Sequence, residues 1–252
     1  MAHSKEIETY RERLRQGWWR KPATRFVIFS RARSGSTLLV DLMNSSPDLF
    51  CDGELLVERP LFPREFICSR AAVRRESVFG FKLLSYQMFQ VLPERYRFSL
   101  LPWLSQNQGY RIIYLRRRDT LAQEVSNVLA HQRKLFQHRS GRGDEALKTQ
   151  ELDITRLMGW LGGNLRYAEY ENQILENLDH LSLVYEDDLL DGQRHQQTLN
   201  QALDYLELDP CEARTSLEKI SVRPLRESLS NYEELLDAVA ASEYAYLLES
   251  HT

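Results

Sequence analysis

The 252-residue sequence is poor in cysteine, in long apolar runs and in charge of one sign. Its three cysteines, Cys51, Cys68 and Cys211, are widely and unevenly spaced. So sparse and odd a set makes no disulfide framework, and no CxxC pair or Cys/His cluster is there to hold zinc. Packed, reduced thiols and no metal are therefore expected. The stretch Met1 to Arg20 is charged throughout and has no apolar centre, so it reads as neither a secretion signal nor a membrane anchor. Runs such as Leu38-Leu39-Val40 fall far short of an integral membrane segment, and a soluble, cytoplasmic protein is the expectation. Lys and Arg total 33 against 36 Asp and Glu, a formal charge of −3. That balance excludes a chain that works by coating nucleic acid with a basic surface, while leaving room for a local basic site. No internal repeat or low-complexity tract occurs.

What the sequence does contain is enough bulk to fold. Four Trp, 12 Tyr and 10 Phe, with 42% apolar residues, exclude wholesale disorder. The length fits a single α/β domain over residues 1–252, with residues 1–24 as an N-terminal helical extension. The nearest thing to a linker, the polar run from Gln137 to Asp144, reads as a loop within that domain.

A polar helix is expected over about residues 4–16. The run Phe26-Val27-Ile28-Phe29 has strand composition and ends in a Ser/Gly turn, after which a helix follows through Leu38, Leu39, Leu42 and Met43. Val78 to Leu84, Tyr110 to Leu115 and Leu181 to Tyr185 read as three further strands. Asp119 caps a helix with Leu121, Val125, Val128 and Leu129 on its apolar face. A long helix carries Ile154, Leu157, Met158, Leu161, Leu165 and Ala168, and Tyr232 to Leu248 is mostly helical. Strands alternating with helices imply a three-layer α/β fold, a mainly parallel sheet covered on both faces. In such sheets the chemistry collects beyond the carboxyl ends of the strands.

The most informative stretch is Ser30-Arg31-Ala32-Arg33-Ser34-Gly35-Ser36-Thr37-Leu38-Leu39, set between a strand and a helix. There, successive backbone N–H groups and a helix N-terminus can enclose an anion. Gly35 lets the backbone approach closely, the Ser34, Ser36 and Thr37 hydroxyls add donors, and Arg33 adds a forked charge suited to phosphate oxygens. It is close to a Walker A loop without being one. Ser30 stands in the place of the first glycine, and Ser36 in that of the lysine that reaches the β/γ-phosphates of a nucleoside triphosphate.

Arg33-Ser34-Gly35-Ser36-Thr37-Leu38-Leu39 resembles, without a gap, the 5′-phosphosulfate loop of the sulfotransferase superfamily. The likeness is greatest to bacterial carbohydrate and glycolipid sulfotransferases of the trehalose, lipopolysaccharide and Nod-factor types. The loop is also similar to that of tyrosylprotein sulfotransferases. This resemblance implies a P-loop-like fold, the donor 3′-phosphoadenosine-5′-phosphosulfate (PAPS), the product 3′-phosphoadenosine 5′-phosphate (PAP), no metal, and a hydroxyl-bearing acceptor such as a sugar or glycolipid.

A second positive point lies at Arg116-Arg117-Arg118-Asp119, where a strand meets a helix carrying Gln123 and Ser126. Similar enzymes bind the donor's 3′-phosphate with an arginine and a serine eight or nine residues later. Arg118 and Arg117 respectively fit those spacings to Ser126, and the sequence does not separate them; Arg116, closest to the strand, fits least. The alternative is a solvated basic turn paired with Asp119 and Glu124.

Sulfuryl transfer to an alcohol needs a base near the acceptor hydroxyl and positive charge around the transferring group. Glu54 lies 21 residues beyond Arg33, as the catalytic glutamate lies beyond the loop's basic residue in the enzymes this chain resembles. Asp52 and Glu58 are the competing carboxylates. Lys82, inside the apolar run Phe79-Gly80-Phe81-Lys82-Leu83-Leu84, must snorkel out or meet an anion. The resemblance gives it the role of contacting the sulfuryl group or the leaving phosphate. By the same resemblance Tyr185, in Val184-Tyr185-Glu186-Asp187, lies near the nucleotide, Glu186 does no more than pair with an arginine, and Arg223, with Arg226 behind it, contacts the donor. Ser140 to Asp144 is the candidate acceptor lid. The six histidines form no motif, and the four tryptophans, a residue type more often core than sugar platform, carry no assignment.

Two rival readings stand beside this one. The first is a P-loop phosphotransferase using a nucleoside triphosphate and Mg²⁺, against which the serine at position 36 argues. The second is a catalytically silent nucleotide-binding scaffold.

Overall fold

The computed structural model describes residues 4–16, 22–136, 149–215 and 224–250. Arg223 and the loop 137–148 lie outside the described residues. The chain divides into two compact units, Met1–Arg116 with Tyr170–Glu218, and Arg117–Glu169 with Lys219–Thr252.

The first unit holds a five-stranded, wholly parallel sheet. Its strands are β1 (Thr24–Ser30), β2 (Leu49–Glu54), β3 (Val78–Leu84), β4 (Tyr110–Arg116) and β5 (His180–Val184), in the order β2-β3-β1-β4-β5. Four of these match the apolar runs read from the sequence; β2 was not anticipated. Its tail, Asp52-Gly53-Glu54, is poor strand material, and the pairing with β3 bulges between Asp52 and Glu54. β5 ends one residue early, at Val184, so Tyr185 opens the following turn instead of closing the strand.

Alternation along β1 builds the two layers around the sheet. Phe26 and Ile28 face a cluster formed with Leu39, Leu42 and Met43 of α2 (Ser36–Met43) and with Leu199, Ala202 and Leu203 of a later helix, His195–Tyr205. Val27 and Phe29 face the opposite cluster, with Phe66, Ile67 and Ala71 of the helix Pro63–Ala72 and with Ile174 and Leu175. Gly80 on β3 lies opposite Phe26, and a Cβ there would sit 2.1 Å from the Phe26 ring. That glycine makes room for a core phenylalanine.

The N-terminal helix α1 (Ser4–Gln16) is held to this unit by a polar clasp. The Glu6 carboxylate accepts from the Leu61 and Phe62 amides at 2.9 and 3.0 Å, just ahead of the helix Pro63–Ala72. An acid suits that place, where a helix leaves amides without partners.

The second unit has its own core, in which Leu121, Val125 and Val128 meet Leu157, Leu161, Leu235 and Val239. Its first helix, Thr120–Phe136, is capped as the sequence predicts, the Asp119 carboxylate accepting from the Ala122 amide at 2.8 Å. The long helix comes out as Ile154–Leu175. The C-terminal helix is shorter than expected: Tyr232–Ala240 is α-helical and Ala245–Ser250 is a tighter turn.

Candidate functional site

β1 ends at Ser30, which is fully buried, and the chain turns through Arg31 to Gly35 into α2. The turn is made by two residues in the left-handed region, Arg33 at φ 61° and Gly35 at φ 88°. A branchless glycine adopts such a φ without strain, whereas an arginine does so at a cost. The Ser34 hydroxyl closes the turn by donating to the Arg31 carbonyl at 2.9 Å. No side chain caps α2, whose first helical bond runs from the Leu39 amide to the Gly35 carbonyl. The amides of Ser36, Thr37 and Leu38 thus have no acceptor within the helix. A Cβ on Gly35 would lie 2.5 Å from Tyr185 Cδ2, so the Tyr185 ring rests directly on this glycine.

Beside this turn the structure brings together residues far apart in the sequence. Lys82 sits on the α2 side of β3, two positions short of the strand's end, with its side chain 9% exposed. Its ammonium donates to Thr37 Oγ1 at 3.1 Å and meets Glu54 Oε1 at 3.1 Å. A lysine inside an apolar strand therefore does meet an anion, a carboxylate of its own chain. The parallel pairing of β2 with β3 sets Glu54 opposite Lys82, and the bulge at Asp52 and Glu54 aims it. The other Glu54 oxygen, Oε2, accepts from Tyr86 Oη and Gln87 Nε2, each at 3.1 Å. Burial, with the Glu54 charge adding to it, pushes the Tyr86 phenol up to about 12, so it remains a donor at neutral pH.

The competing carboxylates are placed differently. Asp52 is taken up by Arg70 and Arg74, the latter at 3.6 Å, and Glu58 is exposed on the following turn. Tyr86 and Gln87, which hold Glu54, were not read from the sequence; their position directly after β3 was the available signal.

A second group missed by the sequence lies beneath the turn. Glu171, fully buried, pairs with Arg31 Nε at 3.2 Å and accepts from Tyr114 Oη at 2.9 Å and from Ser85 Oγ. Ser85 Oγ also reaches the Ser30 carbonyl at 3.2 Å. Burial raises the Glu171 carboxyl, and the Arg31 charge and the hydroxyl donors work against that rise.

The second basic point falls in the other unit apart from Arg116, which is the exposed last residue of β4. Arg117 is half-buried, Arg118 exposed and Ser126 half-buried; Gln123 is fully buried on the same helix. Glu124 is buried and accepts from the side-chain amides of Asn127 and Asn164. Arg226 pairs with Glu233 at 3.5 Å on the surface, and Glu186 lies on the turn after β5. His131 packs edge-on against Trp160. No disulfide joins the three cysteines, no group of His, Cys, Asp and Glu among the described residues could hold a metal ion, and no described helix is long and apolar enough to cross a membrane.

No protein-family model matches the sequence, and no curated protein matches it. Solved structures do match. A sulfotransferase from Alicyclobacillus acidocaldarius aligns with a TM-score of 0.50 at 13% identity, over 88% of this chain and 95% of that one. Mouse sulfotransferase SULT7A1, solved in complex with PAP, aligns with a TM-score of 0.53 at 13% identity, over 100% of this chain and 95% of that one. The fold is the one these sulfotransferases have. The expected α/β architecture, a mainly parallel sheet flanked by helices, is thus present.

Proposed function

We propose that the chain is a sulfotransferase that moves a sulfuryl group from PAPS to an acceptor hydroxyl, on a carbohydrate or glycolipid, with Glu54 as the base. The observation that carries the reading is the contact of Glu54, Lys82 and Thr37 at the mouth of the 31–37 turn. A base, a cation and an anion cradle are the three elements that sulfuryl transfer requires. The turn itself fits the donor's 5′ end. It has two left-handed residues, uncapped amides on α2, and a glycine whose Cβ would strike Tyr185. The likeness to a fold solved with PAP bound supports the same assignment.

PAPS, when bound, supplies an activated sulfuryl group and a stable leaving phosphate. The chain's part begins with binding: the amides of Ser36, Thr37 and Leu38, the Ser34, Ser36 and Thr37 hydroxyls and Arg33 hold the 5′ end. Tyr185 flanks the nucleotide; the assignment of the 3′-phosphate to Arg117 or Arg118 with Ser126, and of a donor contact to Arg223, rests on the sequence resemblance alone. Glu54 is oriented by Tyr86 and Gln87 through Oε2 and takes the acceptor's proton at Oε1. Lys82, one carboxylate oxygen away, balances the charge that builds on the transferring and leaving groups.

The test uses purified protein, calorimetry with PAP, and radiolabelled PAPS with a panel of saccharides and glycolipids. Glu54→Gln should lower transfer by about 10²-fold or more while PAP affinity stays within about twofold. Equal loss of both would make Glu54 structural. No heat with PAP would remove the donor assignment. Metal-dependent ATP turnover would replace it with phosphoryl transfer, and tight PAP binding without transfer to any acceptor would leave a nucleotide-binding scaffold.

A further inference from the structure

The carboxylate of Glu171 is fully buried in the first unit, and the proposed chemistry does not use it. It lies on the helix Ile154–Leu175, and three side chains converge on it: the Arg31 guanidinium, the Ser85 hydroxyl and the Tyr114 phenol. Burying a carboxylate is costly unless it is paired and hydrogen-bonded. Here both conditions hold, and both routes out of the cluster lead to the same place. The single hydrogen of the Ser85 hydroxyl is shared between the carboxylate and the Ser30 carbonyl, the last of β1, which lies 3.2 Å from Ser85 Oγ. Through Arg31 it is tied to the first residue of the turn, whose own carbonyl receives the Ser34 hydroxyl that closes it. The segment 30–34, which contains the left-handed Arg33, is therefore held from beneath at two successive residues.

We propose that Glu171 is a positioning residue for donor binding: by clamping Ser30 and Arg31 it holds the 31–37 turn in its anion-binding shape before the donor arrives. This rests on the reading of that turn as the cradle for the donor's 5′ end. A preorganised loop binds more tightly because the cost of ordering it is met on folding. The effect of Glu171 is thus on donor affinity, not on the chemical step.

The experiment measures PAP affinity by calorimetry, KM for PAPS and kcat by radiolabel transfer, and thermal unfolding, for the wild type and for two variants. Glu171→Gln, which removes the carboxylate charge from beside Arg31 Nε, should weaken PAP binding and raise KM for PAPS by about tenfold or more, with kcat within about twofold. The double variant Arg31→Met/Glu171→Leu replaces both charges with apolar side chains, an exchange that buried ion pairs tolerate. It should unfold near the wild-type temperature and still bind PAP about tenfold more weakly. PAP affinity equal to wild type in either folded variant overturns the proposal and makes the cluster a stability element alone. Should neither variant fold, Ser85→Ala removes the hydroxyl shared between Glu171 and Ser30 and leaves the Arg31 pair in place, and unchanged PAP binding in that variant overturns it equally. Absence of PAP binding by the wild type is a different failure, since it removes the cradle reading on which the inference rests.

Discussion

Replacing Gly35 with alanine tests the geometry of the 31–37 turn through two separable costs. The first is conformational: Gly35 has φ 88°, and a side chain in that left-handed region costs about 1–2 kcal/mol. The second is steric. The new Cβ would lie 2.5 Å from Tyr185 Cδ2 and 2.9 Å from Cε2, closer than carbon atoms can approach, with Leu189 behind at 3.4 Å. Something must shift, and forcing an extra carbon into a packed site costs about 1–3 kcal/mol. Together they amount to about 2–5 kcal/mol for Gly35→Ala. The two parts come apart in a double-mutant cycle with Tyr185→Ala, which removes the obstructing ring but leaves the backbone as it is. In the Tyr185→Ala background, adding Gly35→Ala should cost only the conformational part, about 1–2 kcal/mol. The assay is urea unfolding followed by tryptophan fluorescence, comparing midpoints at equal slopes. A Gly35→Ala protein within about 0.5 kcal/mol of wild type, below the range that either cost allows, would refute the geometry. Equal costs of Gly35→Ala in the two backgrounds would refute the contact with Tyr185.

Two further outcomes follow from the same packing. Gly80→Ala places a Cβ 2.1 Å from the Phe26 ring in the middle of the sheet and should destabilise the fold by about 1–3 kcal/mol, read from the same urea curves; a Gly80→Ala/Phe26→Leu pair should recover part of that loss. Asp52→Asn removes the partner of Arg70 and Arg74 at the edge of β2. It should lower the unfolding midpoint while leaving sulfuryl transfer within about threefold of wild type, far from the 10²-fold loss expected of a missing base. A transfer loss as large as that of Glu54→Gln would move the base to Asp52.

How much of this was legible beforehand depends on the range of the forces involved. The strand, turn and helix from Thr24 to Met43 were readable because an apolar run, a Ser/Gly turn and a periodic apolar stripe are local signals. Asp119 was readable as a cap for the same reason: its acceptor lies three residues from the amide it serves. β2 was not, since Asp52, Gly53 and Glu54 have little strand propensity and are held extended by β3, more than twenty residues later. The expected end of β5 at Tyr185 failed by one residue, because Tyr185 leaves the sheet to cover Gly35.

Local pattern, then, determined the strand-to-helix turn at residues 31–37 and the lysine that had to find a partner: glycine's tolerance of a left-handed φ and the penalty for burying an unpaired ammonium are properties of single residues in their immediate context. Tertiary structure alone decided which partner. Parallel register sets Glu54 opposite Lys82 and gives Asp52 to Arg70 and Arg74, and helix packing brings Glu171 under a turn 140 residues earlier. No local pattern marks such contacts, since a carboxylate's worth depends on which charges the fold sets beside it and how much water it removes.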